Sequence, residues 1–283
     1  MDDQPVYCLG DLHGAWPLLK QWIKQYNIEN CIMIICGDIG MGFEKDELTE
    51  SKLLAFNKFL RLRGITLFGL RGNHDDPAYF NREIKDPEKV EKYFYSNLKL
   101  VPDYTILNVS QKNLLMIGGA VSIDRVYRKE NYKNRISTLL TAYPSFTEED
   151  AKDFLPPSYW EDELPFVNPD IIHSIKKDGI LISHVLTHTC PSFAFPTHKN
   201  GIKGWIEKDE NLKNDLDYER SVMDNIYSLL LDDANPIEEW VYGHFHKHHQ
   251  EDHNGIRFTT LANTDSKFDP YEITRADASE FKL

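Results

Sequence analysis

Four glycine-flanked clusters in this sequence carry residues able to do chemistry: GDLHG at 10–14, GDIG at 37–40, GNHD at 72–75 and GHFH at 243–246. They supply Asp11, His13, Asp38, Asn73, His74, His244 and His246. Imidazole nitrogens, carboxylates and a carboxamide oxygen are together a donor set for hard to borderline divalent cations. A carboxylate can span two such ions about 3.5–4 Å apart, and a hydroxide held between them is a potent nucleophile at neutral pH. The flanking glycines let the backbone turn sharply and let an ion come close. A further stretch, ILISHVLTHTCP, offers His184 and His188, whose even spacing puts both on one face of a strand.

These clusters need elements that stop at a common place. The first third of the chain alternates short apolar runs with helical patterns: Val6 to Leu9, Ala15 to Tyr26, Ile32 to Cys36, Thr49 to Arg63 and Thr66 to Leu70. That rhythm predicts βαβαβ, with the first three clusters leaving the C-terminal ends of parallel strands, where open α/β sheets place their sites. Between Leu53 and Leu62 the apolar residues fall on one broad helical face, as in a helix laid on a sheet. From about residue 104 the texture turns β-rich, with TILNVS, NLLMIGGAVSI, GILISHVLTH, EEWVYGHFH and IRFTTLAN as strands of a second sheet. A helix is expected from about Asp215 to Leu231, and Pro236 blocks its extension. Residues 125–172 are polar, bear tyrosines and prolines and show little periodicity, so they read as an insertion or cap over one end of the sheets. The whole chain, 1–283, reads as a single domain carrying that insertion.

In their order and strand-end placement, the four clusters resemble the calcineurin-like metallophosphoesterase superfamily, whose pattern runs DxH, GD, GNH[DE], a His after a later strand, and GHxH. The resemblance spans about residues 6 to 265. It implies an α/β fold of two packed mixed β-sheets flanked by helices, in four α/β/β/α layers, with two divalent metal ions at the sheet edge. Carried over by position, Asp11, His13 and His246 correspond to ligands of one metal and Asp38 to the carboxylate bridging both. Asn73, His244 and a strand-end histidine correspond to ligands of the second. THTCP at 187–191 fits the family's Thr/Ser-His-x-x-Pro form, which favours His188 over His184 as that ligand. His74 matches the general acid that protonates the departing oxygen after in-line attack at phosphorus. Arg71, ahead of GNHD, resembles an arginine that reaches a phosphate oxygen in protein phosphatases, with a salt bridge at the sheet edge as its other fate. Asp75 is a candidate for orienting His74, or for capping the segment after it. Mixed nitrogen and oxygen ligands suit Mn, placed first, and also Fe, Zn, Co or Ni.

The second cluster continues as GDIGMGF and lacks the Asp and Arg of GDxxDRG, so protein phosphatase and dinucleoside tetraphosphatase activities do not carry over. The stretch from His188 to Arg220 resembles bacterial and phage members of the superfamily and names no substrate. Asp124 and Arg125, which follow a strand into the insertion, are candidates to face substrate. His248, His249 and His253 lie among charged residues and read as a solvated hairpin.

Composition narrows the partners. With 32 Lys+Arg against 45 Asp+Glu the net charge is −13, which argues against a long nucleic-acid footprint. A small phosphorylated substrate remains compatible, because bound cations neutralise the phosphoryl oxygens. No apolar run approaches the ~20 residues of a membrane span, and the acidic start is unlike a signal peptide. Four cysteines without a CxxC pair suggest free thiols in a reducing compartment, so a cytoplasmic location is expected. The expected activity is hydrolysis of a phosphomonoester or of a small phosphodiester or nucleotide. The alternatives are a nuclease or cyclic-nucleotide phosphodiesterase and, in another class, a non-catalytic interaction module on the same fold.

Overall fold

Alternation within the first strands decides how the layers stack. In the computed structural model, which describes residues 4–80, 96–197 and 201–273, Val6 and Cys8 of β1 (Val6–Leu9) and Ile32 and Ile34 of β2 (Ile32–Ile35) face a second sheet. Leu9, Met33 and Ile35 face the opposite way, onto α1 (Trp16–Gln25) and α2 (Asp46–Leu62). Both faces of these strands are therefore covered, which is why they read as continuous apolar runs. With β3 (Thr66–Gly69), β4 (Leu98–Leu100) and the short β11 (Tyr271–Glu272) they form a five-stranded sheet in the order β11-β1-β2-β3-β4. All its pairs are parallel except β11 on β1.

The second sheet has six strands in the order β5-β6-β7-β8-β10-β9. They are β5 (Thr105–Val109), β6 (Lys112–Ile117), β7 (His184–Thr187), β8 (Glu239–Tyr242), β9 (His249–His253) and β10 (Ile256–Thr260). The central four, β6, β7, β8 and β10, run parallel, and antiparallel strands close each side. Leu114, Met116, Leu186 and Val241 meet the first sheet, whereas Leu115, Val185, Trp240 and Phe258 face outward. They pack there on α5 (Pro169–Lys177) and α7 (Leu212–Asp232), which contribute Ile172, Ile175, Val222, Met223, Ile226 and Leu230. The layers are α/β/β/α, the expected fold class, and α7 begins three residues before the expected Asp215.

The stretch expected to lack periodicity contains two helices, α3 (Arg125–Ala142) and α4 (Glu148–Phe154). Ile136 is the one buried residue of α3, so no apolar stripe marks it in the sequence. Thr147 opens α4 with a capping box, its hydroxyl accepting from the Asp150 amide while the Asp150 carboxylate accepts from the Thr147 amide. Between α5 and α7 lies the short α6 (Lys203–Ile206). His248, His249 and His253 lie at and along the edge strand β9, as expected of a hairpin.

His184 begins β7 and is 2% exposed, with Ser183 Oγ 3.0 Å from its Nδ1. Burial, and then the charge of Lys112, hold its pKa at about 4 instead of 6.5. The unfolded chain therefore binds the extra proton first, and the stability due to a neutral His184 is complete above pH 6.5 and lost as pH falls towards 4. We predict that His184→Gln flattens the fall of the denaturation midpoint between those limits. Parallel midpoint curves for variant and wild type would refute this.

Candidate metal centre

The parallel strands of both sheets deliver their C-terminal ends to one place. The loops after β1, β2 and β3 bring Asp11 and His13, Asp38, and Asn73 and His74. Those after β7 and β8 bring His188, and His244 and His246. His13, Asp38, His244 and His246 all have left-handed backbones, with φ of +46°, +51°, +67° and +55°. Such conformations are costly for residues with side chains and gather where surrounding structure imposes them for function. Two glycines make the room. A Cβ on Gly37, whose φ is +96°, would strike the His188 ring, and one on Gly72 would strike the Asp38 carboxylate.

Asp11 is buried, its Oδ1 accepting from the His244 amide at 2.9 Å and its Oδ2 lying 3.0 Å from His246 Nε2. Asp38 is buried beside it, with Oδ1 accepting from the His74 amide at 2.8 Å. Its Oδ2 is 3.3 Å from His13 Nε2 and 3.8 Å from His74 Nε2, and its Oδ1 is 3.5 Å from His188 Nε2. Burial opposes ionisation of Asp38, but the charges of His74 and His188 and the contact with His13 hold its carboxyl well below the usual range. Burial likewise opposes charge on His13, yet Asp38, Asp11 and Asp265 push it up to about 9. Burial, reinforced by His188, holds His244 down to about 3, so its ring is neutral.

The donor set fits a cation on one specific observation. His188 Nδ1 is 2.7 Å from the Cys36 carbonyl, which can only accept, so Nδ1 carries a proton and Nε2 is the nitrogen turned to the centre. Asn73 donates from Nδ2 to Ser122 Oγ at 2.8 Å, which turns its Oδ1 to within 3.0 Å of that same Nε2. His188 Nε2, Asn73 Oδ1 and Asp38 thus converge on one point, a mixed nitrogen and oxygen donor set that a cation fits. Ligand atoms of Asp11, His13 and His246, of His13, Asp38 and His74, and of Asp11, Asp38 and His188 form three overlapping groups, each within 4.8 Å.

Every residue expected from the four clusters therefore lies in one constellation, except Asp75. His188 joins it, and His184 sits at the far end of β7, beside Glu238 and Glu239. Arg71 takes the second of its two expected fates, a salt bridge, and both readings of Asp75 need correction. Arg71 is buried and turned away from the cluster, bonded to Asp103 at 2.9 Å and to the carbonyls of Glu163 and Leu164 at 2.9 and 2.8 Å. It ties the sheet edge to the segment that follows α4, and no donor is left to reach a phosphate. Asp75 neither touches His74 nor caps a helix. Its carboxylate accepts from the amides of Ile39, Gly40, Met41 and Gly72 at 2.7–3.0 Å, stapling the Asp38 loop to the Asn73 loop.

Three supporting residues carry no local motif. Asp265, in the loop after β10, is 2.9 Å from His13 Nδ1, Ser122 aims Asn73, and the Cys36 carbonyl aims His188. The signal that could have found Asp265 and Ser122 is their position just past parallel strands of the second sheet. Arg125 pairs with Asp209 and Asp215 at 2.6 Å instead of facing substrate, while Asp124 lines the cavity.

A cavity of about 1180 Å³ opens over the cluster and is lined by His13, Asp38, Asn73, His74, His244 and His246. Ile123, Phe195, Ile202, Trp205, Leu216 and Phe245 form an apolar wall. Residues 198–200 of the neighbouring loop lie outside the described residues.

Converging carboxylates and imidazoles under an open cavity define a metallohydrolase centre. The chain belongs to the calcineurin-like phosphoesterase family, whose model matches residues 4–248. It is accordingly a metal-binding hydrolase of phosphate esters, in a family that depends on a binuclear metal centre. No curated protein sequence matches the chain. Among solved structures it is similar to the phosphopantetheinyl hydrolase PptH of Mycobacterium tuberculosis, at 12% identity over 99% of this chain and 98% of that one, with a TM-score of 0.45. It is similar also to a putative 5'-nucleotidase from Staphylococcus aureus, at 12% identity over 92% and 48% of the two chains, with a TM-score of 0.42. GAP50, the anchor in the inner membrane complex of Plasmodium, matches at 14% identity over 92% and 71%, with a TM-score of 0.38.

Stripping divalent metal should lower the melting temperature of the wild type, and returning Mn2+ should restore it. Asp38→Asn and His188→Ala should each lower bound metal per chain by elemental analysis, and His184→Ala should leave it unchanged. Equal metal loss in His184→Ala and His188→Ala would overturn the distinction between the two histidines.

Proposed function

We propose that this protein hydrolyses a small phosphate ester using two divalent cations, manganese first among them, with His74 as the proton donor to the leaving oxygen. The observation that carries this reading is the convergence of His188 Nε2, Asn73 Oδ1 and Asp38 on one point, beside the group formed by Asp11, His13 and His246. Asp11, His13 and His246 hold one ion and Asn73, His188 and His244 the other, with Asp38 shared. When bound, the cations polarise the phosphoryl group and supply a nucleophile at neutral pH.

The chain's own residues orient the reaction. Asp75 keeps the Asp38 and Asn73 loops in register through four amides, and Asp265 fixes the His13 ring so that Nε2 faces the carboxylates. His74 lies at the cavity wall with its ring 5.8 Å from that of His13, close enough to a bound phosphoryl group to move a proton onto the departing oxygen. The apolar wall receives the organic part of the ester and excludes water from that side. The cavity lining is of mixed charge, with Asp124, Asp217, Glu219 and Asp224 beside Arg128, Arg220 and Lys247, and the net charge of −13 favours a small substrate over a long polyanion. No helix among the described residues is long and apolar enough to cross a membrane, and the four cysteines are buried free thiols, which supports the proposed cytoplasmic location.

The test is hydrolysis of p-nitrophenyl phosphate and bis-p-nitrophenyl phosphate by metal-stripped protein titrated with Mn2+. Activity should appear with metal, vanish in Asp38→Asn, and fall by roughly 10²–10⁴ in His74→Ala. Preference for the diester would favour the phosphodiesterase alternative. An unchanged rate in His74→Ala would remove the proton-donor role.

A further inference from the structure

The cap places one arginine against the proposed proton donor. Arg128, in the first turn of α3, directs Nη2 to His74 Nε2 at 3.3 Å, and His74 Nε2 lies 3.8 Å from Asp38 Oδ2. Its Nε donates to both carboxylate oxygens of Asp124, each at 2.8 Å, and its Nη1 donates to the Ser158 carbonyl at 3.2 Å. The side chain is 23% exposed and lines the cavity. Each terminal nitrogen has two N–H groups and one partner among the described residues, so a donor remains on each. A guanidinium in this state is a fork matched to two oxygens of a phosphoryl group.

Among the described residues no other arginine is placed against His74. Arg71 is enclosed by Asp103 and three carbonyls, Arg125 is spent on Asp209 and Asp215, and Arg220 is turned onto the carbonyls of Cys190, Pro191 and Pro196. Arg128 is the arginine that stands at the cavity lining beside His74.

Building on the phosphoesterase reading above, we propose that Arg128, held by Asp124, clamps the terminal phosphoryl group of the substrate and thereby selects phosphomonoesters. A monoester presents a dianionic terminus with three unesterified oxygens, whereas a diester offers two and a single charge, so a guanidinium fork favours the first. Arg128 then turns its Nη donors from His74 to the phosphoryl oxygens. Asp124 acts through Arg128 and is a positioning residue.

The experiment uses the Mn2+-loaded full chain. Inorganic phosphate binding is followed by calorimetry, and kcat and KM are measured for both nitrophenyl esters. Arg128→Ala and Arg128→Gln should weaken phosphate binding about 10- to 100-fold, the range of a lost charge-assisted hydrogen bond. Monoester kcat/KM should fall by a similar factor and diester kcat/KM by less than about threefold. Arg128→Lys should recover part of the loss, Asp124→Asn should shift the same quantities in the same direction by less, and Lys129→Ala, on the neighbouring exposed position, should change none. Bound metal per chain in each variant should match the wild type, which separates loss of the clamp from loss of the centre. Unchanged phosphate affinity and an unchanged ester ratio in both Arg128→Ala and Arg128→Gln would overturn the proposal. If the wild type hydrolyses neither ester, the proposed ester hydrolysis falls, and the phosphate titration still decides whether Arg128 is an anion clamp.

Discussion

Asp11 and Asp38 are buried carboxylates, 0% and 1% exposed, and no lysine or arginine among the described residues pairs with either. Burying an ionised group without a counter-charge costs several kcal/mol, so a fold that keeps two together must offset that cost at close range. It does so with backbone amides, those of His244 and His74, and with imidazoles. Both amides come from residues just past a glycine or an asparagine in loops with little steric freedom. The left-handed conformations of His13, Asp38, His244 and His246 follow from the same demand. Each loop must bend back at the strand end to present a donor to a carboxylate that the other sheet has buried.

Two sheets are needed to meet that demand. One parallel sheet supplies a row of strand ends, but the Asp11 and Asp38 loops alone would leave the carboxylates open to water on one side. The second sheet closes that side with His188 and His244, while the interior between the sheets, from Val6, Cys8 and Ile34 to Leu114, Leu186 and Val241, is apolar and fixes their spacing. Core packing and metal chemistry are therefore linked at the level of atoms. Cys36 belongs to this interior through its side chain, yet its carbonyl aims His188 at the centre.

What the sequence made legible is what is encoded locally. A ligand, its glycine and the strand before it lie within a few residues, so Asp11, His13, Asp38, Asn73, His74, His244 and His246 could be read along the chain, and the βαβαβ order follows from apolar runs of strand and helix length. Arg71 and Asp75 stand beside those ligands and share their motif, but their direction is set by tertiary partners more than thirty residues away: Asp103 and Glu163 for one, the amides of the Asp38 loop for the other. Neighbourhood in sequence was a misleading guide to both. Helix α3 escaped for the opposite reason, since a helix that buries only Ile136 has no apolar face to betray it.

That polar helix resolves a difficulty posed by the charge of the chain. At −13 overall, the protein as a whole repels the anion it is proposed to bind, and the proposed cations would offset this only close to where they bind. A phosphoryl group entering from the open side needs positive charge ahead of the metals, and a flexible surface lysine would supply it with little orientation. The proposed clamp supplies it with direction, because Asp124 and Ser158 hold the Arg128 guanidinium at the cavity lining. On that proposal the helix can be polar, because it carries a side chain beside His74 and contributes only Ile136 to the buried interior.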